Sequence, residues 1–266
     1  MRFKLGWFVL LWLTACSDKK EFEAVAVYGH AGMGLRIENS VYHANSKESI
    51  ELALAISGCD GVEVDVQLSA DGELWLYHDK TLNNESTGSG CINDQSSATL
   101  SSLSYKTLQK EKVVRLVDLD VGLFKGKTLF LDIRHQNACQ NLFVSPQTVI
   151  EQIQSSAIGQ SSAIQIYCVL ANPNWIQLFT AAGLQVIYST DGTKFTTQVF
   201  STYPGLDGVM VKNAAIDGDL IKEIRQLNKK VFIFEMRSPK GIRTALRKKP
   251  DGVITDDIRT TLIEKY

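Results

Sequence analysis

Apolar and β-branched residues gather in nine short runs, at 24–29, 61–69, 73–78, 128–134, 163–170, 184–188, 207–212, 230–236 and 252–255. Runs of this length between polar or glycine-containing stretches predict strands. Between most of them the apolar positions recur at helical spacing, over 46–57 (Ile50, Leu52, Ala53, Leu54, Ile56), 146–156, 174–182, 217–227 and 240–247. Strand–helix alternation predicts right-handed parallel βαβ units. One pair breaks the rule. Runs 61–69 and 73–78 are separated only by Ala70-Asp71-Gly72, and Asp-Gly between strands predicts a hairpin, whose arms are antiparallel. Treating the second arm as an extension of the first leaves eight parallel strands, the number that closes a (β/α)8, or TIM, barrel. The expected class is therefore α/β: one barrel with a β-hairpin extension of its second strand. An open doubly wound sheet is the competing arrangement, but no glycine-rich phosphate fingerprint follows any strand.

The hairpin also gathers polar side chains. With Asp71-Gly72 as a two-residue turn, Asp65 is expected opposite His78 and Val64 opposite Asp79. Alternation then puts Glu63, Asp65 and His78 on one face, and Val62, Val64, Val66 and Tyr77 on the other. Two carboxylates this close on a buried strand are costly unless a cation offsets them, which suits a hard divalent metal, Ca²⁺ or Mg²⁺. A solvated polar face on an edge strand is the plainer alternative. His30 follows the first run inside Gly29-His30-Ala31-Gly32, and Leu131-Asp132-Ile133-Arg134 alternates a third carboxylate and a cation on another strand. All of these lie at carboxyl ends of the first three barrel strands, where barrel active sites form. Together they offer three carboxylates for a metal, two imidazoles for proton transfer and a guanidinium for phosphate.

The first residues change the picture of where the domain resides. Arg2 and Lys4 precede the apolar run 5–13, which is far shorter than the roughly 20 residues that span a bilayer. Residues 1–15 are expected to be a signal peptide, and Leu13-Thr14-Ala15-Cys16 resembles a bacterial lipobox, with lipidation at Cys16. An ordinary secretory signal with an incidental cysteine is the alternative. Residues 16–23 are polar enough for a tether, and 24–266 form the expected domain. The expected location is the bacterial cell envelope, anchored by lipid, with the outer membrane preferred.

Charge adds an exclusion. The 266 residues carry 28 Lys+Arg against 29 Asp+Glu. Losing Arg2 and Lys4 leaves 26 basic against 29 acidic side chains, net −3, with no basic stripe for nucleic acid. No obligate protein partner is evident. Of the cysteines after Cys16, Cys59 and Cys168 stand in apolar surroundings and read as core residues. Cys91 and Cys139, in polar stretches, are the better disulfide candidates, although spacing alone does not fix connectivity.

Gly29-His30-Ala31-Gly32, Asn45-Ser46, the stretch 61–79 (GVEVDVQLSADGELWLYHD), Leu131-Asp132-Ile133-Arg134 and the closing Asp251-Gly252-Val253-Ile254-Thr255-Asp256 resemble the glycerophosphodiester phosphodiesterase family. The resemblance implies a (β/α)8 barrel that hydrolyses small-molecule glycerophosphodiesters to glycerol 3-phosphate and an alcohol, with one divalent cation. It implies His30 and His78 as general base and general acid, Glu63, Asp65 and Asp132 as metal ligands, and Arg134 facing the phosphate. Three positions depart from the family pattern. Ala31 stands where an arginine is usual, so Arg36 and Arg134 become the candidates to bind phosphate. Asp132 replaces a glutamate. The block containing a conserved-type asparagine fits both 38–40 and 43–46; Asn45 is preferred as a substrate-binding residue because Ser46 is placed to cap the following helix. Phe234 stands in place of a tryptophan, and Glu235 is open between lining the site and facing solvent. A phospholipase C- or D-like phosphodiesterase on the same barrel, and a noncatalytic surface-binding lipoprotein, remain the alternative functions.

Overall fold

The computed structural model describes residues 22–35, 40–135, 139, 144–192 and 194–266. The strands are β1 (Ala26–His30), β2 (Gly61–Leu68), β3 (Leu74–Leu76), β4 (Val114–Arg115), β5 (Thr128–Ile133), β6 (Gln165–Leu170), β7 (Val186–Thr190), β8 (Gly208–Lys212), β9 (Lys230–Phe234) and β10 (Gly252–Thr255). β1 pairs in parallel with both β2 and β10, and this double pairing closes the ring. From β2 the ring continues through β5, β6, β7, β8 and β9 to β10, every pair parallel. It is a (β/α)8 barrel, and β3 and β4 extend it antiparallel from β2.

The helices are α1 (Lys47–Ala55), α2 (Ser97–Ser102), α3 (Pro146–Ser155), α4 (Pro173–Ala181), α5 (Gln198–Thr202), α6 (Gly218–Gln226), α7 (Pro239–Arg247) and α8 (Ile258–Lys265). Their starts are set locally. Ser46, Ser145, Asn172, Asp217, Ser238 and Asp257 each accept a backbone N–H of the first turn, and proline opens α3, α4 and α7, where its missing N–H costs nothing.

Alternation along the strands builds two cores and positions the site. Val62, Val64 and Val66 of β2 and Leu129, Leu131 and Ile133 of β5 join the large core that includes residues of the helices. The opposite faces turn into the barrel, where Tyr28, Phe130, Tyr167 and Phe232 interlock with Val169, Ile187, Met210 and Ile254. Phe130 is central to this plug, with ring centroids 4.9 Å from Tyr28 and 4.8 Å from Phe232. Two residues further along the same strand faces come His30, Asp132, Lys212, Phe234 and Asp256. An apolar floor thus lies beneath a charged layer at the carboxyl ends, as the strand period requires.

The hairpin register differs from the expectation by one residue. Val66 pairs with Leu76, Gln67 with Trp75 and Leu68 with Leu74, which sets Asp65 opposite Tyr77 rather than His78. Ser69 N donates to Glu73 O at 2.8 Å, so the loop is the three residues Ala70, Asp71 and Gly72, with Gly72 at φ +86°. A turn followed by a left-handed glycine is the favoured three-residue solution. Asp71 is occupied there: its carboxylate accepts from Ser69 Oγ at 2.7 Å and from Ser97 N at 2.9 Å.

Between β3 and β5, the chain builds a lobe around Trp75, Tyr77, Leu82, Ile92, Leu100, Leu103, Tyr105 and Val113, all buried. A Cys91–Cys139 disulfide ties it to the segment after β5, whereas Cys59 and Cys168 are buried free thiols. Residues 1–21, including the expected signal, Cys16 and most of the tether, and Arg36 lie outside the described residues.

Candidate active site

His30 ends β1 and is held from two sides. Its Nδ1–H donates to Asp256 Oδ1 at 2.9 Å, and its Nε2 lies 3.8 Å from Glu63 Oε2. The chain then bends sharply: Ala31 has φ +50° and Gly32 φ +93°. Gly29 permits this bend, because a Cβ there would stand 1.9 Å from Gly32 O. The bend aims the Ala31 N–H at Glu63 Oε2, 3.1 Å away.

Glu63, Asp65 and Asp132 each present a carboxylate oxygen, and these oxygens lie within 4.8 Å of one another. β2 supplies the first two on its inward face, and the Asp65–Asp132 register between β2 and β5 brings in the third. Asn45, at φ +62°, clamps Asp65: its Nδ2 donates to Asp65 Oδ2 at 2.7 Å and its Oδ1 accepts Asp65 N at 2.9 Å. Arg134 closes the other side, with Nε donating to Asp65 Oδ1 at 2.6 Å and Nη2 lying 3.4 Å from Asp132 Oδ2.

The electrostatics reflect crowded negative charge. Burial, then the neighbouring Asp65, pushes Glu63 up to about 8, and burial pushes Asp132 up to about 6. Asp65 goes the other way: burial opposes its charge, but Arg134, His78 and the Asn45 hydrogen bond hold it below its ordinary value. For His30, burial disfavours the imidazolium, yet Asp256 and Glu63 outweigh it and raise the ring to about 9. Arg134 alone does not neutralise three carboxylates. A buried set of hard oxygens from three carboxylates fits a Ca²⁺- or Mg²⁺-type cation held by Glu63, Asp65 and Asp132.

His78 lies two residues beyond the end of β3, outside the regular ladder. Gln67 pins this exit by donating Nε2 to both Tyr77 O and Asp79 O at 2.8 Å, and Asp79 Oδ1 accepts His78 Nδ1–H at 2.9 Å. Each imidazole is therefore oriented through Nδ1 by its own carboxylate, with Nε2 left for chemistry. A cavity of about 450 Å³ opens over His30, Glu63, His78, Asp132 and Arg134. Its far wall carries Asp191, Lys212, Glu235 and Arg237, where Lys212 Nζ lies 3.5 Å from Asp191 and 3.7 Å from Glu235.

Residues 30–121 match the Glycerophosphoryl diester phosphodiesterase family. A glycerophosphodiester phosphodiesterase of Bacillus altitudinis is 24% identical over 229 residues, covering 81% of this chain and 89% of that protein. One from Caldanaerobacter subterraneus is 38% identical over 69 residues, 26% of each chain. Among solved structures, an Oleispira antarctica phosphodiesterase in complex with the product sn-glycerol-3-phosphate superposes with a TM-score of 0.73 at 18% identity, over 91% of this chain and 97% of that one. A glycerophosphodiester phosphodiesterase from Thermotoga maritima gives 0.65 at 19% identity, over 90% and 96%. The sequence matches support the family, and the structural likenesses show the fold.

The site brings together His30, Glu63, Asp65, His78, Asp132 and Arg134. Asn45 takes a different place from that expected: it is 1% exposed and bonded to Asp65, so it positions a carboxylate instead of lining the cavity. Phe234 and Glu235 do line the cavity, the latter at φ +64°. Three contributors carried no assigned role in the sequence: Asp256, Asp79 and Lys212. For Asp256 a signal existed, since it ends the last strand's motif directly beside β1.

Proposed function

We propose that this chain is an enzyme, a glycerophosphodiester phosphodiesterase, that hydrolyses glycerophosphodiesters to glycerol 3-phosphate and an alcohol with the aid of a divalent cation, Ca²⁺ or Mg²⁺. The observation that carries the reading is the convergence at one cavity of two carboxylate-anchored imidazoles, one guanidinium and a cluster of three carboxylates, of which Glu63 and Asp132 line the cavity and Asp65 is buried beside them. The family match over 30–121 and the Oleispira phosphodiesterase with bound sn-glycerol-3-phosphate support the substrate class.

Glu63, Asp65 and Asp132 would hold the cation, which would polarise a phosphate oxygen and offset charge as phosphorus becomes pentacoordinate. Arg134 offers a planar fork to the phosphate oxygens. One imidazole takes a proton from water, or from the neighbouring glycerol hydroxyl, as the new O–P bond forms. The other gives a proton to the alcohol oxygen as the old P–O bond breaks. His30 is the base and His78 the acid in this scheme.

Attachment at the cell envelope through lipidated Cys16 is part of the same proposal, supported by the lipobox-like Leu13-Thr14-Ala15-Cys16 after a short apolar run. A panel of glycerophosphodiesters incubated with Ca²⁺, Mg²⁺ or EDTA, with products separated, tests the reading. Glycerol 3-phosphate is expected with a cation; cyclic phosphate or diacylglycerol as the product would assign the chain to phospholipase-like chemistry instead.

A further inference from the structure

We propose that Arg134 makes cation binding and phosphate binding mutually dependent, by occupying the Asp65 oxygen that a cation needs until an anionic phosphate draws the guanidinium away. The inference rests on the reading of Glu63, Asp65 and Asp132 as the cation ligands, and adds to it an order and a coupling.

Asp65 is fully buried and both of its oxygens are engaged, but by partners of different character. Oδ2 faces Asn45, which is itself 1% exposed, clamped back onto Asp65 N and fixed at φ +62°. That contact is part of the frame. Oδ1 faces Arg134, whose side chain is 34% exposed and lines the cavity. Both Nε and Nη2 of Arg134 converge on this one oxygen, and Nη2 also lies 3.4 Å from Asp132 Oδ2. The guanidinium therefore spans two of the three carboxylates that would hold a cation, so the arginine and a cation would compete for them. Of these two partners of Asp65, the solvent-reaching arginine is the one with freedom to leave.

Its natural destination is the phosphate. The fork matches two oxygens of a phosphate as well as it matches a carboxylate. Two of the other basic side chains of the cavity are committed to carboxylates, Lys212 lying between Asp191 and Glu235 and Arg237 pairing with Glu235; Lys80 also lines the cavity but is not among the groups on the carboxylate cluster. Transfer of Arg134 from Asp65 to phosphate frees an anionic oxygen at the moment a second anion arrives, so the cation is held most tightly when substrate is present. By linkage the effect is reciprocal: the cation tightens phosphate binding by the same factor.

Calorimetric titration of the folded protein with Ca²⁺, with and without glycerol 3-phosphate, tests this without reference to turnover. Wild type should bind Ca²⁺ at least about fivefold more tightly when glycerol 3-phosphate is present, within the roughly 5- to 150-fold range of ordinary coupling. Arg134→Met should bind Ca²⁺ alone more tightly than wild type and lose most of the anion enhancement. Arg134→Lys separates occupancy from charge, since it keeps the cation but has no fork; it should lie between the two. Melting curves establish that each variant is folded, and Arg134→Lys carries the test if the methionine variant is not. Equal Ca²⁺ affinity in wild type and Arg134→Lys, or an undiminished anion effect in Arg134→Met, would overturn the coupling alone. Absence of Ca²⁺ and Mg²⁺ binding in every form would overturn the cation site and the coupling together.

Discussion

The Nδ1 of His30 and the Oδ1 of Asp256, 2.9 Å apart, join the end of the first barrel strand to the residue just after the last. Closure of the barrel and orientation of the His30 imidazole are thus one event: His30 receives its carboxylate only when β10 docks beside β1. Replacing Asp256 with asparagine should lower the His30 titration well below about 9, because burial alone disfavours the imidazolium. Imidazole NMR resonances followed against pH in the cation-free protein would show it. An unchanged His30 titration would mean that the pair does not set the ring's proton affinity.

Loss of either imidazole should be far more costly. His30→Ala and His78→Ala are each expected to reduce kcat by at least about 100-fold, the usual scale for general acid–base groups. Steady-state rates at saturating substrate decide the matter, and near-normal turnover in either variant would remove that residue from the chemistry.

Much of this arrangement could be read from the chain, and the failures have identifiable causes. Every strand run and helical run predicted from periodicity is present, because each faces one large core and carries that face in its spacing. The hairpin slipped by one residue because Asp-Gly serves equally in a two-residue turn and in a three-residue loop ending on left-handed Gly72; only the Ser69–Glu73 bond distinguishes them. His78 still reaches the site since it lies beyond the ladder, where Gln67 rather than register fixes it. The sequence pattern does not announce the lobe between β3 and β5. Its apolar residues Leu82, Ile92, Leu100, Leu103, Tyr105 and Val113 are too widely spaced to sustain either period over a whole element and meet only in three dimensions. Asp256 and Asp257 are adjacent and chemically identical; the fold alone assigns the first to His30 and the second to the cap of α8.

Stability should depend on pH with a definite sign when no cation is bound. The folded protein holds Glu63 at about 8 against an ordinary 4.5, Asp132 at about 6 against 3.8, and His30 at about 9 against 6.5. All three shifts make the folded state bind more protons than the unfolded chain. The His30 contribution is complete below about 6.5 and disappears as pH passes 9, while the carboxylate penalties set in from about 4 and are complete above 8. Asp65, lowered in the fold by Arg134, acts in the opposite sense, and its contribution is confined to pH values around and below its ordinary 3.8. Denaturant unfolding of chelated protein should show stability falling from pH 5 to pH 9, with saturating Ca²⁺ flattening the trend; a rise across that window would contradict the charge assignments.

The Cys91–Cys139 bridge spans 48 residues of sequence and fastens the lobe to the segment after Arg134. Replacing both cysteines with serine should cost about 2–4 kcal/mol of unfolding free energy through the lost constraint on the unfolded chain. Equilibrium unfolding of the double variant beside wild type measures it, and a difference below about 0.5 kcal/mol would show that the lobe is held by its own apolar packing.

The central claim is that this site cleaves glycerophosphodiesters with a cation held by Glu63, Asp65 and Asp132. Coupled detection of glycerol 3-phosphate, run with Ca²⁺ or Mg²⁺ and again after exhaustive chelation, addresses it most directly. The account predicts glycerol 3-phosphate release that chelation abolishes, that added cation restores, and that Glu63→Gln loses. Full activity after chelation, or no glycerol 3-phosphate from any glycerophosphodiester with either cation, would contradict it.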